Sequence, residues 1–298
     1  MGLEVYRSLD DAIKGCFNED AKITRDPRIM HGGISSTAVL ELTCGRVFVK
    51  FNSPENSAFF DAEEEGIAAI ESTNTVKTPK LYCKGYDSAT SSSFIMMELI
   101  ERGRENSDTW TVFGREFADM HLADTSSFVP AGTYGFIHDN FIGATKQINT
   151  PNDSWIEFFR QCRLEPQLEM ACHSLSSSEI RTAQKLLDRL DELLEEPEHP
   201  SLLHGDMWGG NHLVGSNGKA VLIDPAAYVG HAEADIAMTH MFSPMPYGFY
   251  RGYHEIIPES AGYRDRQDLY NLYHYLNHFN LFGGGYLMSA MRIIRHYA

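Results

Sequence analysis

Cysteine is scarce in this chain of 298 residues: Cys16, Cys44, Cys83, Cys162 and Cys172 are an odd number, and no Cys-x-x-Cys occurs. That excludes a disulfide frame and reads as reduced thiols in a reducing compartment. Basic residues are also few, 25 Lys and Arg against 41 Asp and Glu, for a formal charge of −16. A field of that sign repels nucleic acids and anionic lipid surfaces, so partners of both kinds are set aside. Its ordinary meaning is a solvated acidic surface. No apolar run approaches the ~20 residues of a membrane span, and Met1-Gly-Leu-Glu-Val lacks a basic start followed by an apolar core. A cytoplasmic protein without membrane association is expected. There is no Gly-x-Ser-x-Gly elbow, which removes a Ser-His-Asp hydrolase of that type, and no internal repeat.

What the chain does have is apolar mass: 43% hydrophobic residues, with 17 Phe, 14 Tyr and 3 Trp. That supports a sizeable core, in one large two-lobed domain or two modest ones. Residues 1–25 read as a helix followed by a strand. A small-residue turn, His31-Gly-Gly-Ile-Ser-Ser-Thr37, precedes strand-like runs at 38–43 and 46–51, with Cys44-Gly45 as the hairpin turn. Residues 59–73 have helical spacing, with Phe60, Ile67 and Ile70 on one side and Glu63, Glu64 and Glu65 between them. Two more strands are expected at 79–86 and 93–100. The polar stretch 101–108 reads as a connection, and helical spacing dominates beyond it: Trp110 to Met120, Ile180 to Leu194, and Leu269 to Phe279, which stops at Gly283-Gly-Gly285. The fold class expected is α+β, a small antiparallel-sheet N-terminal lobe over residues 1–100 and a large, mainly helical C-terminal lobe over residues 101–298.

The chemistry concentrates in His204-Gly-Asp-Met-Trp-Gly-Gly-Asn211 and in Ala220-Val-Leu-Ile-Asp-Pro225. Each polar loop is flanked by an apolar strand. Phosphoryl transfer needs one carboxylate to orient an acceptor hydroxyl and take its proton. It also needs an amide oxygen and a second carboxylate to hold Mg²⁺ against nucleotide phosphates. Asp206 suits the first role; Asn211 and Asp224 supply the hard oxygens of the second. Protein kinases set Asp and Asn at this same interval, with the Mg²⁺-binding Asp on the next hairpin. Upstream, Lys50 stands on a strand where its ammonium can neutralise the phosphates of ATP. A carboxylate of the following helix would hold it: Glu63, Glu64 or Glu65, with Glu63 favoured because it precedes Ile67 by one turn. Gly32, Gly33, Ser35 and Ser36 fit a phosphate-covering loop or a plain hairpin turn. They match neither G-x-G-x-x-G nor the P-loop form.

On these residues the chain resembles the fructosamine kinase family, also called ketosamine-3-kinases, a branch near the aminoglycoside and choline kinases. The stretch from His204 to Asn211 is close to the family's His-Gly-Asp-Leu-Trp-x-Gly-Asn. Further matches are Asp224-Pro-Ala-Ala-Tyr-Val-Gly230, Glu233-Ala-Asp-Ile-Ala-Met238, Tyr134-Gly-Phe136, Asp139-Asn-Phe-Ile-Gly143, Gln147 with Asn149, Trp155 with Phe158-Phe159, and Leu272-Tyr-His-Tyr-Leu-Asn-His278. The resemblance implies a protein-kinase-like bilobal fold and transfer of the ATP γ-phosphate to the 3-hydroxyl of a ketosamine. It implies Asp206 as base, Asn211 and Asp224 as Mg²⁺ ligands, Lys50 with Glu63 as the phosphate-binding pair, and Met97-Glu98-Leu99 as the hinge that meets adenine. Some members carry a Cys in the glycine-rich loop that permits redox-linked dimers. Gly33 and Ile34 stand there in this chain, so that behaviour is not carried over. Val229 stands where a second Tyr is frequent.

Trp208 either contacts the acceptor or packs into the core. Asp235 is expected to hydrogen-bond the catalytic-loop backbone from a helix, and His121 to be a buried, hydrogen-bonded histidine. His274 and His278 read as polar helix positions, since no Cys or third His stands at ligand spacing. The expected partner is a small-molecule hydroxyl acceptor, and the expected assembly a monomer or weak dimer. Two rival readings stay open: a kinase of the same fold for an aminoglycoside, choline or another sugar, and an ATP-binding pseudokinase without turnover. The full set Lys50, Asp206, Asn211 and Asp224 argues against the second.

Overall fold

The computed structural model describes residues 4–298; residues 1–3, where the first expected segment begins, lie outside the described residues. The elements of the first part are β1 (Glu4–Tyr6), α1 (Leu9–Cys16), β2 (Met30–His31), β3 (Ser36–Leu42), β4 (Gly45–Asn52), α2 (Ala58–Ser72), β5 (Leu81–Asp87) and β6 (Ser92–Glu98). The strands form one sheet in the order β1-β5-β6-β4-β3-β2. Two expectations are corrected here. A strand precedes the first helix, where a helix followed by a strand was expected over residues 1–25. The sheet is mixed, because β1 runs parallel to β5, with Glu4 opposite Gly85 and Tyr6 opposite Asp87. Three residues are too few to show a two-residue period, and their partner is remote in sequence.

Alternation along β4 explains the sheet's two faces. Val47 and Val49 point into a core with Ala38, Leu40, Phe94 and Met96, and Ala12 and Ile13 of α1 cover it. Ser8 caps α1 by accepting from the Asp11 N–H. Lys50 and Phe48 point to the other face. There α2 packs, with Phe60 against Ile95 and Met97.

The rest of the chain is mainly helical. In order it contains α3 (Thr109–His121), the hairpin β7 (Asn140–Ile142) and β8 (Thr145–Gln147), α4 (Trp155–Phe159), α5 (Glu165–Ala171), α6 (Ser177–Asp188) and α7 (Leu190–Leu193). Then come β9 (Ser201–Leu203), β10 (His212–Val214), β11 (Ala220–Leu222), β12 (Tyr228–Gly230), α8 (Ala232–Met238), α9 (Tyr247–His254), α10 (Tyr263–Phe282) and α11 (Tyr286–Tyr297). The stripe expected over Ile180 to Leu194 breaks at Arg189, and Ile180 is exposed. A π-helical turn, Arg160–Leu164, joins α4 to α5 and buries Arg163. Helices α3 and α9 approach closely, because a Cβ at Gly114 would collide with Phe249 O and one at Gly252 with Thr111 O. Phe113 and Phe117 of α3 meet Phe249 of α9, and the same core continues through Trp155 and Phe158 of α4 and Tyr270 of α10. Two short antiparallel pairs, β10 with β11 and β12 with β9, bury Leu202, Leu203, Leu222 and Tyr228 in this core and carry the polar loops.

Candidate active site

Lys50 leaves β4 on the face away from the small core, with its side chain 12% exposed. Its Nζ donates to Glu63 Oε1 at 2.7 Å and to Asp224 Oδ1 at 2.5 Å. The other two candidate carboxylates face elsewhere: Glu64 pairs with Lys84 and Glu65 with His138. Burial alone would lower the Lys50 pKa, but Glu63 and Asp224 outweigh it and hold the ammonium above its ordinary value.

Asp206 follows β9, and its loop is fixed from behind. Asp235, buried on α8, accepts from the backbone N–H of His204 at 2.6 Å and of Gly205 at 2.9 Å. His121 reaches the same carboxylate through Nε2, at 3.3 Å, and meets Tyr253 OH at 2.7 Å through Nδ1. His204 Nδ1 accepts from the Asp206 N–H, so its Nε2–H donates to Ile223 O at 3.0 Å. Burial lowers its pKa and keeps the ring neutral, as this tautomer requires. Gly205 has φ +79°, and a Cβ there would collide with Ala226 O. The two polar loops therefore touch backbone to backbone.

The Asp206 carboxyl is pushed up to about 7 by burial, with the Asp224 and Asp235 charges adding and the Asn211 hydrogen bond opposing. Asn211 donates through Nδ2 to Asp206 O at 2.9 Å and Oδ2 at 2.8 Å. Its Oδ1 has no protein donor among the described residues. Asp224 sits at φ +55°, in the left-handed region, and its side chain is 46% exposed. One of its oxygens meets Lys50.

These groups line a cleft of about 730 Å³ with Ile34, Ser35, Thr37, Trp208 and Phe242. Of the four candidates in the small-residue turn, Ser35 lines the cleft, whereas Gly32, Gly33 and Ser36 do not. Gly32 N–H closes a tight turn on Ser35 O at 3.1 Å, and Asn52 Nδ2 donates to Ile34 O and Ser35 Oγ. Met97, Glu98 and Leu99 stand at and just beyond the end of β6, outside this lining. The Glu98 N–H donates to Lys80 O, and its carboxylate accepts from Lys77 Nζ and the Lys80 N–H. Trp208 is 40% exposed at the cleft mouth, with its ring edge-on to Phe242, so core packing is not its role.

Several lining residues escape sequence reasoning. Phe59 and Phe141 meet edge-on, and Phe242, Phe282 and Tyr286 surround His278. The wall comes from α2, β7, α10, α11 and the loop after α8, so no sequence window contains it. Only Phe141 and His278 fell inside quoted motifs. His274, read as a polar helix position, is buried on α10 with no partner for Nδ1 among the described residues, and burial pushes its imidazole down to about 3.

Among the described residues no cluster of three or more His, Cys, Asp or Glu could hold a metal by itself. What fits is a hard cation shared with phosphate oxygens: among the described residues Asn211 Oδ1 has no donor, and Asp224, in the same cleft, has a second oxygen that does not meet Lys50.

A model of the fructosamine kinase family matches residues 6–298. The chain is 41% identical over 280 residues to a chloroplastic protein-ribulosamine 3-kinase of Oryza sativa subsp. indica, covering 93% of this chain and 79% of that protein. It is 34% identical over 287 residues to a ketosamine-3-kinase of Mus musculus, covering 89% and 92%. A putative fructosamine-3-kinase of Haemophilus somnus 129PT superposes with a TM-score of 0.86 at 26% identity, covering 99% and 98%.

Proposed function

The chain belongs to the fructosamine kinase family, with its α+β, protein-kinase-like fold, and from that premise we propose that it transfers the γ-phosphate of ATP to the 3-hydroxyl of a ketosamine such as fructoselysine or ribuloselysine. The observation that carries the reading is the meeting, in one cleft, of a half-buried Asp206 with its pKa pushed up to about 7 and a Lys50 ammonium held between Glu63 and Asp224. A carboxylate poised near neutrality accepts a hydroxyl proton efficiently. Asp206 orients the acceptor oxygen and takes its proton, with Asn211 Nδ2 fixing the carboxylate's rotation. Lys50 neutralises phosphate charge as the loose transition state forms, so positioning and electrostatics supply most of the acceleration. Asn211 Oδ1 and the free oxygen of Asp224 would hold Mg²⁺, which supplies further charge neutralisation at the phosphates.

In this reading residues 1–100 form the nucleotide lobe, with Ser35 and Thr37 under the phosphates and the chain at Met97–Leu99 beside the adenine. Residues 101–298 form the catalytic and acceptor lobe. Trp208, Phe242 and His278 make an aromatic wall near Asp206, which suits the apolar face of a sugar and a neighbouring ammonium.

The test is Mg²⁺-dependent phosphorylation of fructoselysine and ribuloselysine beside kanamycin, choline and free ribulose. Selective transfer to the ketosamines is expected. Transfer confined to another acceptor discards the substrate class; ATP binding without transfer to any acceptor discards the kinase reading.

A further inference from the structure

Among the described residues, three non-glycine residues have a clearly positive φ: Asn74, Ser91 and Asp224. The first two are exposed turn residues. Asp224 lines the cleft, and the left-handed conformation is unfavourable for an L-residue. Such a conformation persists only where the surroundings over-determine it. The residues that do so play no part in the chemistry above.

Two residues after Asp224, beyond Pro225, the Ala226 N–H donates to His204 O at 2.9 Å. Ala226 O accepts from Gln147 Nε2 at 3.0 Å, and Ala227 O accepts from Asn140 Nδ2 at 2.7 Å. Asn140 and Gln147 are directly opposite each other in the β7–β8 register. The two-residue period turns both inward, and Gln147 Nε2 also donates to Asn140 Oδ1 at 2.8 Å. Tyr273 OH donates to Gln147 Oε1 at 2.8 Å, Asn149 Nδ2 to Asn140 Oδ1 at 3.0 Å, and Arg163 Nη2 to Asn149 Oδ1 at 2.8 Å. All five side chains are buried. Arg163 has no carboxylate among its hydrogen-bond partners and lies over the Tyr228 ring, 4.0 Å from its centroid. Burying a cation without a carboxylate is costly. Its place here is as the back of a network that ends on the carbonyls of Ala226 and Ala227, two and three residues after Asp224. The same hairpin presents Phe141 and Gly143 to the cleft.

We infer that Asn140 and Gln147, backed by Tyr273, Asn149 and Arg163, are positioning residues that hold Asp224 in its left-handed conformation, so that its free oxygen faces a bound divalent cation. The inference rests on the reading of Asp224 as a metal ligand. It ties that ligand and part of the cleft wall to one hairpin.

The test is Mn²⁺ titration followed by electron paramagnetic resonance in the presence of ADP, on wild type, Gln147→Met, Tyr273→Phe and Asp224→Asn. Folding is checked by circular dichroism, and ADP binding is also measured without metal. Gln147→Met keeps the side-chain volume and removes both donors. Mn²⁺ binding in it is expected to weaken by about 10–100-fold, the usual cost of losing a partner that orients a metal ligand, with metal-free ADP binding unchanged. Wild-type Mn²⁺ affinity in a folded Gln147→Met overturns the inference. If that variant does not fold, Tyr273→Phe decides: weakening by about 2–10-fold, the worth of one neutral hydrogen bond, supports the role, and no change overturns it. Lost Mn²⁺ binding in Asp224→Asn beside intact binding in Gln147→Met removes the positioning role alone. Intact binding in Asp224→Asn removes the metal reading, and the inference with it.

Discussion

On the sheet side of the cleft, Lys50 and Glu63 owe their positions to regular structure. Alternation along β4 points Lys50 away from Val47 and Val49, and the pitch of α2 brings Glu63 opposite it. On the helical side, Asp206, Asn211 and Asp224 stand on loops whose shapes come from buried polar side chains: Asp235 and His204 under one loop, Gln147 and Asn140 under the other. Periodicity and a hydrophobic core position the first pair, whereas single hydrogen bonds, each hard to replace, position the second set. Damage to the sheet core should therefore cost stability and leave the chemistry alone. Damage to a loop anchor should cost both.

The largest effect that sharpens this contrast is Asp206→Asn. Turnover should fall by on the order of 10²–10⁴, the worth of a positioned general base, while ATP binding persists; steady-state kinetics beside equilibrium nucleotide binding measures both. Lys50→Met comes next. It leaves Glu63 and Asp224 facing each other without a cation, and kcat should fall by about 10²–10³, as for other lost electrostatic stabilisers.

The stability pair follows. Leu40→Ala, in the fully buried sheet core, should lower unfolding free energy by about 2–5 kcal/mol and leave kcat unchanged at temperatures where the variant is folded. Asp235→Asn should cost about 1.5–3 kcal/mol for a charged acceptor of backbone N–H groups and lower kcat as well. Urea unfolding beside kinetics checks both, and a drop in kcat for folded Leu40→Ala would break the comparison.

A last effect is one of pH on stability. A carboxyl whose folded pKa is raised from 3.8 to about 7 contributes stability that is complete below 3.8 and is lost as pH rises through about 7. Wild type should therefore lose stability relative to Asp206→Asn between pH 5 and pH 8, measured by urea unfolding of both proteins at each pH.

How much of this was legible in the sequence follows the same division. The strands β3 to β6, the helix α2 and the position of Lys50 follow from alternation and helical spacing. So do α3 and α10, the second ending at Gly283 as expected. The three-residue strand β1 carried no period, and its parallel partner lies far along the chain. Spacing and apolar flanks marked Asp206, Asn211 and Asp224 as one group, because loops between short strands leave a local trace. Glu63 could be preferred to Glu64 and Glu65 by helical phase alone. Asn140, Gln147 and His278 lie in stretches that carry the family resemblance, but no spacing gave them a role, and Phe242 and Tyr286 left no trace. They are assembled across the fold from segments whose local patterns differ little from those of ordinary hairpins and helices.

The most direct test of Asp206 as a half-buried base poised near neutrality is the pH dependence of kcat/KM with a ketosamine acceptor, in wild type and in the residual activity of Asp206→Asn. The account predicts a limb falling about tenfold per pH unit below about pH 7 in wild type and its absence in the variant. A flat wild-type profile from pH 5 to 8, or the same limb in both proteins, would contradict it.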